Sequence, residues 1–176
     1  DGIGARPTEG ILSDDDRLMM CQQVERKGGR VNYKNNGDGT QSPYELNINY
    51  LSAVTEPNDN DELKASKFLA AQSILLSFIG VPAVYYHSLL GSENDIQGML
   101  DSGINRRINR EKFDFAQLET ELAEEGSLRQ RVYSEMTHLL ELRKQQKAFS
   151  PSSSQQVLEL GHGLFGLKRG EGANAL

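Results

Sequence analysis

The sequence predicts an α/β protein that is one part of a larger barrel or doubly wound sheet. Three observations carry that expectation. Residues 59–79 have a helical pattern, polar at the start and almost wholly apolar at the end. VPAVYYHSLLG (81–91) follows as a β-branched and aromatic run, apolar on both faces until His87, as a buried parallel strand requires. Further helical patterns come after it, and helix, buried strand, helix is the order of parallel α/β architectures. Only that one convincing parallel strand and an incomplete one at Asp1 can be found, too few to close a barrel or finish a sheet.

Each element has its own signal. The opening DGIGARPTEG places a carboxylate on a glycine-rich turn, and without a leading methionine the default reading of Asp1 is an arbitrary boundary. Ser13 before Asp14, Asp15 and Asp16 is a capping residue followed by an acidic first turn, so a helix is expected to about Lys27, where Gly28-Gly29 ends it. RVNY (30–33) and YELNINY (44–50) read as two extended arms around NNGDGT (35–40), whose Asn-Gly and Asp-Gly steps supply positive φ and whose loop should project. Gly80 and Pro82 end the long helix; its segment FLAAQSILLSFIG (68–80) reads as a buried helix. Helices are expected at about 93–101, 114–124 and 127–146, the last with Leu128, Val132, Met136, Leu139, Leu140 and Arg143 along one face. After Pro151 and a Ser-rich link, VLELG (157–161) and LFGLKRG (164–170) suggest an antiparallel hairpin of a different module. No internal repeat is present.

Composition narrows the function classes. At 176 residues with 37% apolar and 25% charged residues, the chain should be soluble and globular, or a piece of something globular. A net charge of -6 argues against a phosphate-backbone partner, so no nucleic acid is expected. The single cysteine, Cys21, excludes an intrachain disulfide framework. The longest apolar stretch is well short of the roughly 20 residues a spanning helix needs, and no signal peptide is recognisable, so no membrane partner and a cytoplasmic location are expected. The glycine-rich opening fails the dinucleotide fingerprint at Pro7, and no metal-ligand spacing, phosphate loop or nucleophile elbow occurs, so neither metal nor cofactor is expected.

Four constellations have the look of a site. Asp1-Gly2 would sit where a strand ends and a loop begins. Tyr44, Glu45 and Asn47 offer a hydroxyl, a carboxylate and an amide on a projecting loop, a combination suited to sugar hydroxyls. His87 and Ser88 close the apolar strand. NRRINR (105–110) sets Arg106, Arg107 and Arg110 on a loop, where a planar fork could clamp hydroxyls, carboxylate or phosphate. Singly, each has a commoner structural reading: a turn, a surface pair, a satisfied structural histidine and a solvated face pairing with carboxylates.

Their joint order changes the weighing. DGIGARPTEGILSDDD, GGRVNYK, SPYELNINYLSAV, FLAAQSILLSFIGVPAVYYHSLLGSENDIQG and GINRRINREKF together resemble the C-terminal part of the sucrose phosphorylase family of the α-amylase superfamily, from residue 1 to about 150. The resemblance implies the last strands and helices of a (β/α)8 barrel over 1–150, running into the start of a C-terminal antiparallel β domain at 151–176. It implies a retaining glucosyl phosphorylase that converts an α-glucoside and inorganic phosphate to α-glucose 1-phosphate and a released acceptor, without metal or organic cofactor. Asp1 would be the third carboxylate, the transition-state stabiliser that holds the 2- and 3-hydroxyls of the glucosyl ring. Arg106 would bind a distal hydroxyl of the same ring. Tyr44 and Glu45 would lie on the loop that admits acceptor or phosphate, where Tyr-Glu-Leu-Asn is closer to the glucosylglycerate phosphorylase branch than the Tyr-Gln of sucrose enzymes. No residue matches the family's Asp nucleophile or Glu acid; Glu93 and Asp95 read as capping groups instead. The chain alone is therefore expected to be inactive. The alternative from another class is a non-catalytic carbohydrate-binding or interaction module.

Overall fold

The computed structural model describes residues 3–172 and 175–176. Asp1, where the sequence places an incomplete strand and a site carboxylate, lies outside them. The architecture is α/β with antiparallel sheets. Strand β1 (Ile3–Gly4) leads into helix α1 (Asp14–Arg26). Ser13 caps that helix by accepting from the Asp16 amide, while the Asp16 carboxylate accepts from the Ser13 amide. The chain reverses through Gly28, at φ +83°, into β2 (Arg30–Asn35) and β3 (Gln41–Asn47). Their connecting loop is exposed, and Gly37 and Gly39 supply the positive φ that its Asn-Gly and Asp-Gly steps promised.

The three strands order as β1-β3-β2, all pairs antiparallel. Near the loop the pairs are Asn35 with Gln41, Lys34 with Ser42 and Tyr33 with Pro43, and then the register slips so that Asn32 faces Glu45. The extra residue is Tyr44, a bulge beside a proline. Pro43 lacks a ladder donor and is tolerated there because β1 covers β3 only from Glu45 on. Ile3, Val31 and Leu46 share one face and pack with Ala5, Cys21, Val24 and Ile48 into a core against α1. Period-two alternation therefore turns Asn32 and Glu45 to the opposite face.

A second core lies between α3 (Asp61–Ser77) and α7 (Leu128–Gln145). Ala65, Phe68, Gln72 and Leu76 are buried along α3, and Leu128, Val132 and Met136 along α7; these spacings of three and four align each set on one helix face. Leu51, from α2 (Tyr50–Val54), completes the cluster. The expectation of a buried helix over 68–80 holds on one face only: Phe68, Gln72 and Leu76 are buried while Ile74 is 47% exposed, and the helix stops at Ser77, leaving Phe78 and Ile79 beyond it 40% and 50% exposed.

The predicted strand at 81–91 is also corrected. Residues 81–85 make no strand pairing and Tyr86–Leu89 form a turn of helix, α4. A strand exists only where a neighbour takes its backbone donors and acceptors, and no described segment runs alongside this one. Beyond it come α5 (Ile96–Ser102), a 3-10 turn at Asn105–Asn109 and α6 (Phe115–Ala123). After α7, strands β4 (Gln155–Leu158) and β5 (Gly166–Arg169) form the expected terminal hairpin. No helix among the described residues is long and apolar enough to cross a membrane.

Candidate functional site

Two candidates far apart in sequence meet in space. The Arg106 Nε donates to the Glu45 Oε2 at 2.8 Å, although 61 positions separate them. The same carboxylate oxygen accepts from the Asn32 Nδ2 at 3.4 Å, and the Asn32 Oδ1 accepts from the Asn105 Nδ2 at 2.8 Å. A ring of four side chains results, drawn from β2, β3 and the 3-10 turn, on the sheet face turned away from α1. Glu45 is largely covered, with 17% of its side chain exposed, whereas Arg106 is 46% exposed, so the guanidinium presents its outer edge to solvent. The Glu45 hydrogen bond, reinforced by its charge, holds the guanidinium above its ordinary pKa. Tyr44, at the bulge, is exposed, and its backbone carbonyl accepts from the Ala5 amide at 3.1 Å. Asn47, two residues on from Glu45, is fully buried with its Oδ1 unpartnered.

The neighbouring arginines behave differently. Arg107 pairs with Asp95 at 2.5 Å and also donates to the Arg110 carbonyl. Asp95 at the same time caps α5 by accepting from the Gly98 amide at 2.8 Å. The capping reading of Asp95 thus holds, and Arg107 is a tether rather than part of a solvated face. The capping reading of Glu93 is corrected: the cap is Asp95, and Glu93 pairs with Lys64 at 2.8 Å.

His87 is fully buried, and its Nδ1 lies 3.1 Å from the Ser92 Oγ. The Arg129 Nη1 donates to that oxygen at 3.4 Å, which leaves the Ser92 hydroxyl proton for the imidazole. Arg129 is anchored by Glu111, by Glu121 and by the Leu90 carbonyl, and stacks over Phe113. Burial, with the Arg129 and Arg107 charges beside it, pushes the His87 pKa down to about 4. The His87 Nε2 is buried without a partner. The structure therefore joins Glu45 and Arg106, leaves His87 in a separate buried network, and puts Tyr44 at the rim of the first group. No cluster of three or more His, Cys, Asp and Glu side chains suited to a metal ion occurs among the described residues.

Asn32 carries no motif in the sequence, and Asn105 stands there only as the first residue of NRRINR, singled out for its arginines. Counting outward from the loop pairs residue 32 with 44, and only the bulge moves Glu45 into that place. The signal lay in Pro43, which made an irregular register foreseeable.

No family model matches the chain. It is 42% identical over 154 residues to a glucosylglycerate phosphorylase of Escherichia coli (strain K12), a match that covers 88% of this chain and 28% of that protein. It is 43% identical over 169 residues to a glucosylglycerate phosphorylase of Spirochaeta thermophila, covering 96% of this chain and 29% of that one. A sucrose phosphorylase of Streptococcus mutans is 29% identical over 155 residues, covering 85% and 29%. Among solved structures, sucrose 6F-phosphate phosphorylase from Thermoanaerobacter thermosaccharolyticum superposes with a TM-score of 0.79 over 98% of this chain and 32% of that one; at 21% identity this shows the fold. The chain thus spans under a third of the length of these curated relatives.

Proposed function

Because the chain belongs to the sucrose phosphorylase family and matches its glucosylglycerate phosphorylases at 42–43% identity, we propose that it is the C-terminal part of a retaining α-glucosyl phosphorylase that releases a glycerate-type acceptor. On this reading residues 1–150 carry the last strands and helices of a (β/α)8 barrel, and 151–176 begin a C-terminal β domain. An Asp and a Glu outside the chain would act as nucleophile and acid, about 5–5.5 Å apart across the scissile bond as retention requires. The nucleophile displaces the acceptor while the acid protonates the departing oxygen; phosphate then attacks the β-glucosyl-enzyme, and the carboxylate leaves, giving α-glucose 1-phosphate.

This chain would supply binding. Asp1 would hold the ring hydroxyls that tighten as positive charge develops, and Arg106 a more distal one. Tyr44 and Glu45 would face the acceptor. The observation that carries the reading is the Glu45–Arg106 pair: a carboxylate and a forked guanidinium from distant segments, fixed on one exposed rim beside Tyr44. Such a pair presents both hydroxyl-acceptor and donor groups, which a sugar and a hydroxy acid both need.

The test is phosphorolysis by the complete protein on glucosylglycerate, sucrose and sucrose 6'-phosphate, following glucose 1-phosphate release. Glucosylglycerate should be the best substrate; much higher efficiency on sucrose overturns the acceptor assignment. Residues 1–176 alone should form no glucose 1-phosphate, since removing one member of a catalytic unit costs several orders of magnitude.

A further inference from the structure

We infer that Asn32 and Asn105 are positioning residues of this site: together they dock the β2–β3 hairpin onto the turn that carries Arg106 and so set the angle at which Glu45 and Arg106 meet a ligand. The inference rests on the function proposed above for its kinetic consequence, and on the four-membered ring alone for its structural one.

The ring has a direction. Glu45 as a carboxylate only accepts, so Asn32 must turn its amide nitrogen toward the Glu45 Oε2 and its carbonyl oxygen outward; the reverse would face two acceptors together. The outward oxygen then requires a donor, and the Asn105 Nδ2 supplies it at 2.8 Å. Asn105 is adjacent to Arg106, whose Nε closes the ring on the same Glu45 oxygen. Every member is thus specified by its neighbour, and the ring spans three chain segments. Its Asn105–Asn32 link bridges 73 positions, so it constrains the hairpin against the turn and not merely one side chain against the next. Asn32 reaches this place because the Tyr44 bulge sets Glu45 opposite it. Neither asparagine needs to touch substrate to matter, because a displacement of about 1 Å in a binding group can cost on the order of a hundredfold in rate.

Asn32→Asp is the sharp test, since it is isosteric and reverses one link, placing a carboxylate against Glu45. Two readouts are needed in the complete protein. The first is the Arg106 Nε–H proton followed by NMR, whose exchange with solvent should be slow in the unaltered protein and at least about tenfold faster in Asn32→Asp. Asn105→Ala should act in the same direction. The second is steady-state kinetics in the synthetic direction, where the KM for the acceptor should rise about tenfold while the melting midpoint stays within about 2 °C. Unchanged Arg106 exchange in both single variants overturns the ring, whatever the kinetics. Faster exchange with unchanged KM and kcat overturns the positioning role. A protein that protects the Arg106 proton but shows no phosphorolysis refutes the enzymatic reading and leaves the docking role standing.

Discussion

Both hairpins of this molecule are docked by arginine, and they use it in opposite ways. The β2–β3 hairpin meets its arginine through a charged side chain: Glu45 binds Arg106 at a rim where the guanidinium remains 46% exposed. The β4–β5 hairpin meets its arginine through backbone. Arg169 is 1% exposed and donates to the carbonyls of Ser77 at 2.8 Å, Ser150 at 3.2 Å and Ser154 at 3.3 Å. Arg143 from α7 donates to the carbonyls of Leu76 and Gly80 at the end of the same helix α3, and both guanidiniums lie over the Phe149 ring. The second arrangement answers the unsatisfied carbonyls and partial negative charge of a helix C-terminus. It fixes the terminal hairpin and leaves nothing for a ligand. The first keeps donors free at the surface, and that is why it is the one read as a site.

The largest expected effect comes from the buried clamp. Arg169→Leu removes the donors from three carbonyls and leaves them in an apolar setting, so it should cost about 3 kcal/mol. The loss should appear as a lower urea midpoint and as rapid amide exchange in 155–158 and 166–169, with α1 and the first sheet still protected. An unchanged midpoint would show that the terminal hairpin is held by other contacts, such as Phe78 against Phe165, and would erase the contrast between the two dockings.

Local physics was legible in the sequence, and tertiary pairing was not. The Ser13–Asp16 capping box, the glycine-bearing loop at 37 and 39, and the Leu128, Val132, Met136 face all follow from short-range rules, and each stands in the structure. Glu45 and Arg106 were each visible as residue types suited to hydroxyls, but their contact depends on how the hairpin and the 3-10 turn pack, which no local pattern encodes. Arg169 read only as part of a strand, because its partners are backbone carbonyls that have no sequence signature. At 81–91 the pattern misled for a related reason: β propensity describes a surface that fits between strands, and among the described residues no strand is present to receive it.

The next effect probes a third arginine network on the buried side of the contrast. His87 has a folded pKa of about 4 against an ordinary 6.5, so the unfolded chain takes up its proton first as pH falls. Its titration therefore contributes nothing above about pH 7. Below that, native stability should decline through the window from about 6.5 to about 4, by up to roughly 3 kcal/mol, and level off below the folded pKa. His87→Gln keeps a buried polar group but removes the titration, so the difference in unfolding free energy between variant and parent should depend on pH only within that window. A difference that is flat across it would mean that the imidazole is hydrated and that Arg129 and Ser92 do not enclose it.

The smallest effect belongs to the exposed pair, and its smallness is the point. Ion pairs with one partner near half exposure lose much of their attraction to solvent and to the entropy of holding two long side chains. Glu45→Gln keeps the shape and one acceptor oxygen for the Arg106 Nε, and it leaves the Asn32 link a partner. The melting midpoint should shift by no more than about 2 °C at low salt. The two proteins should converge further at about 0.5 M salt, where screening reaches only a few ångström. The Arg169 variant should show no such convergence, because its donors face uncharged carbonyls away from solvent. A large midpoint loss in Glu45→Gln that persists at high salt would place the first hairpin in the same class as the second, as a structural clamp. A small, salt-sensitive shift joined to a clear change in acceptor KM would mean that the pair is kept for what it presents at the rim rather than for stability.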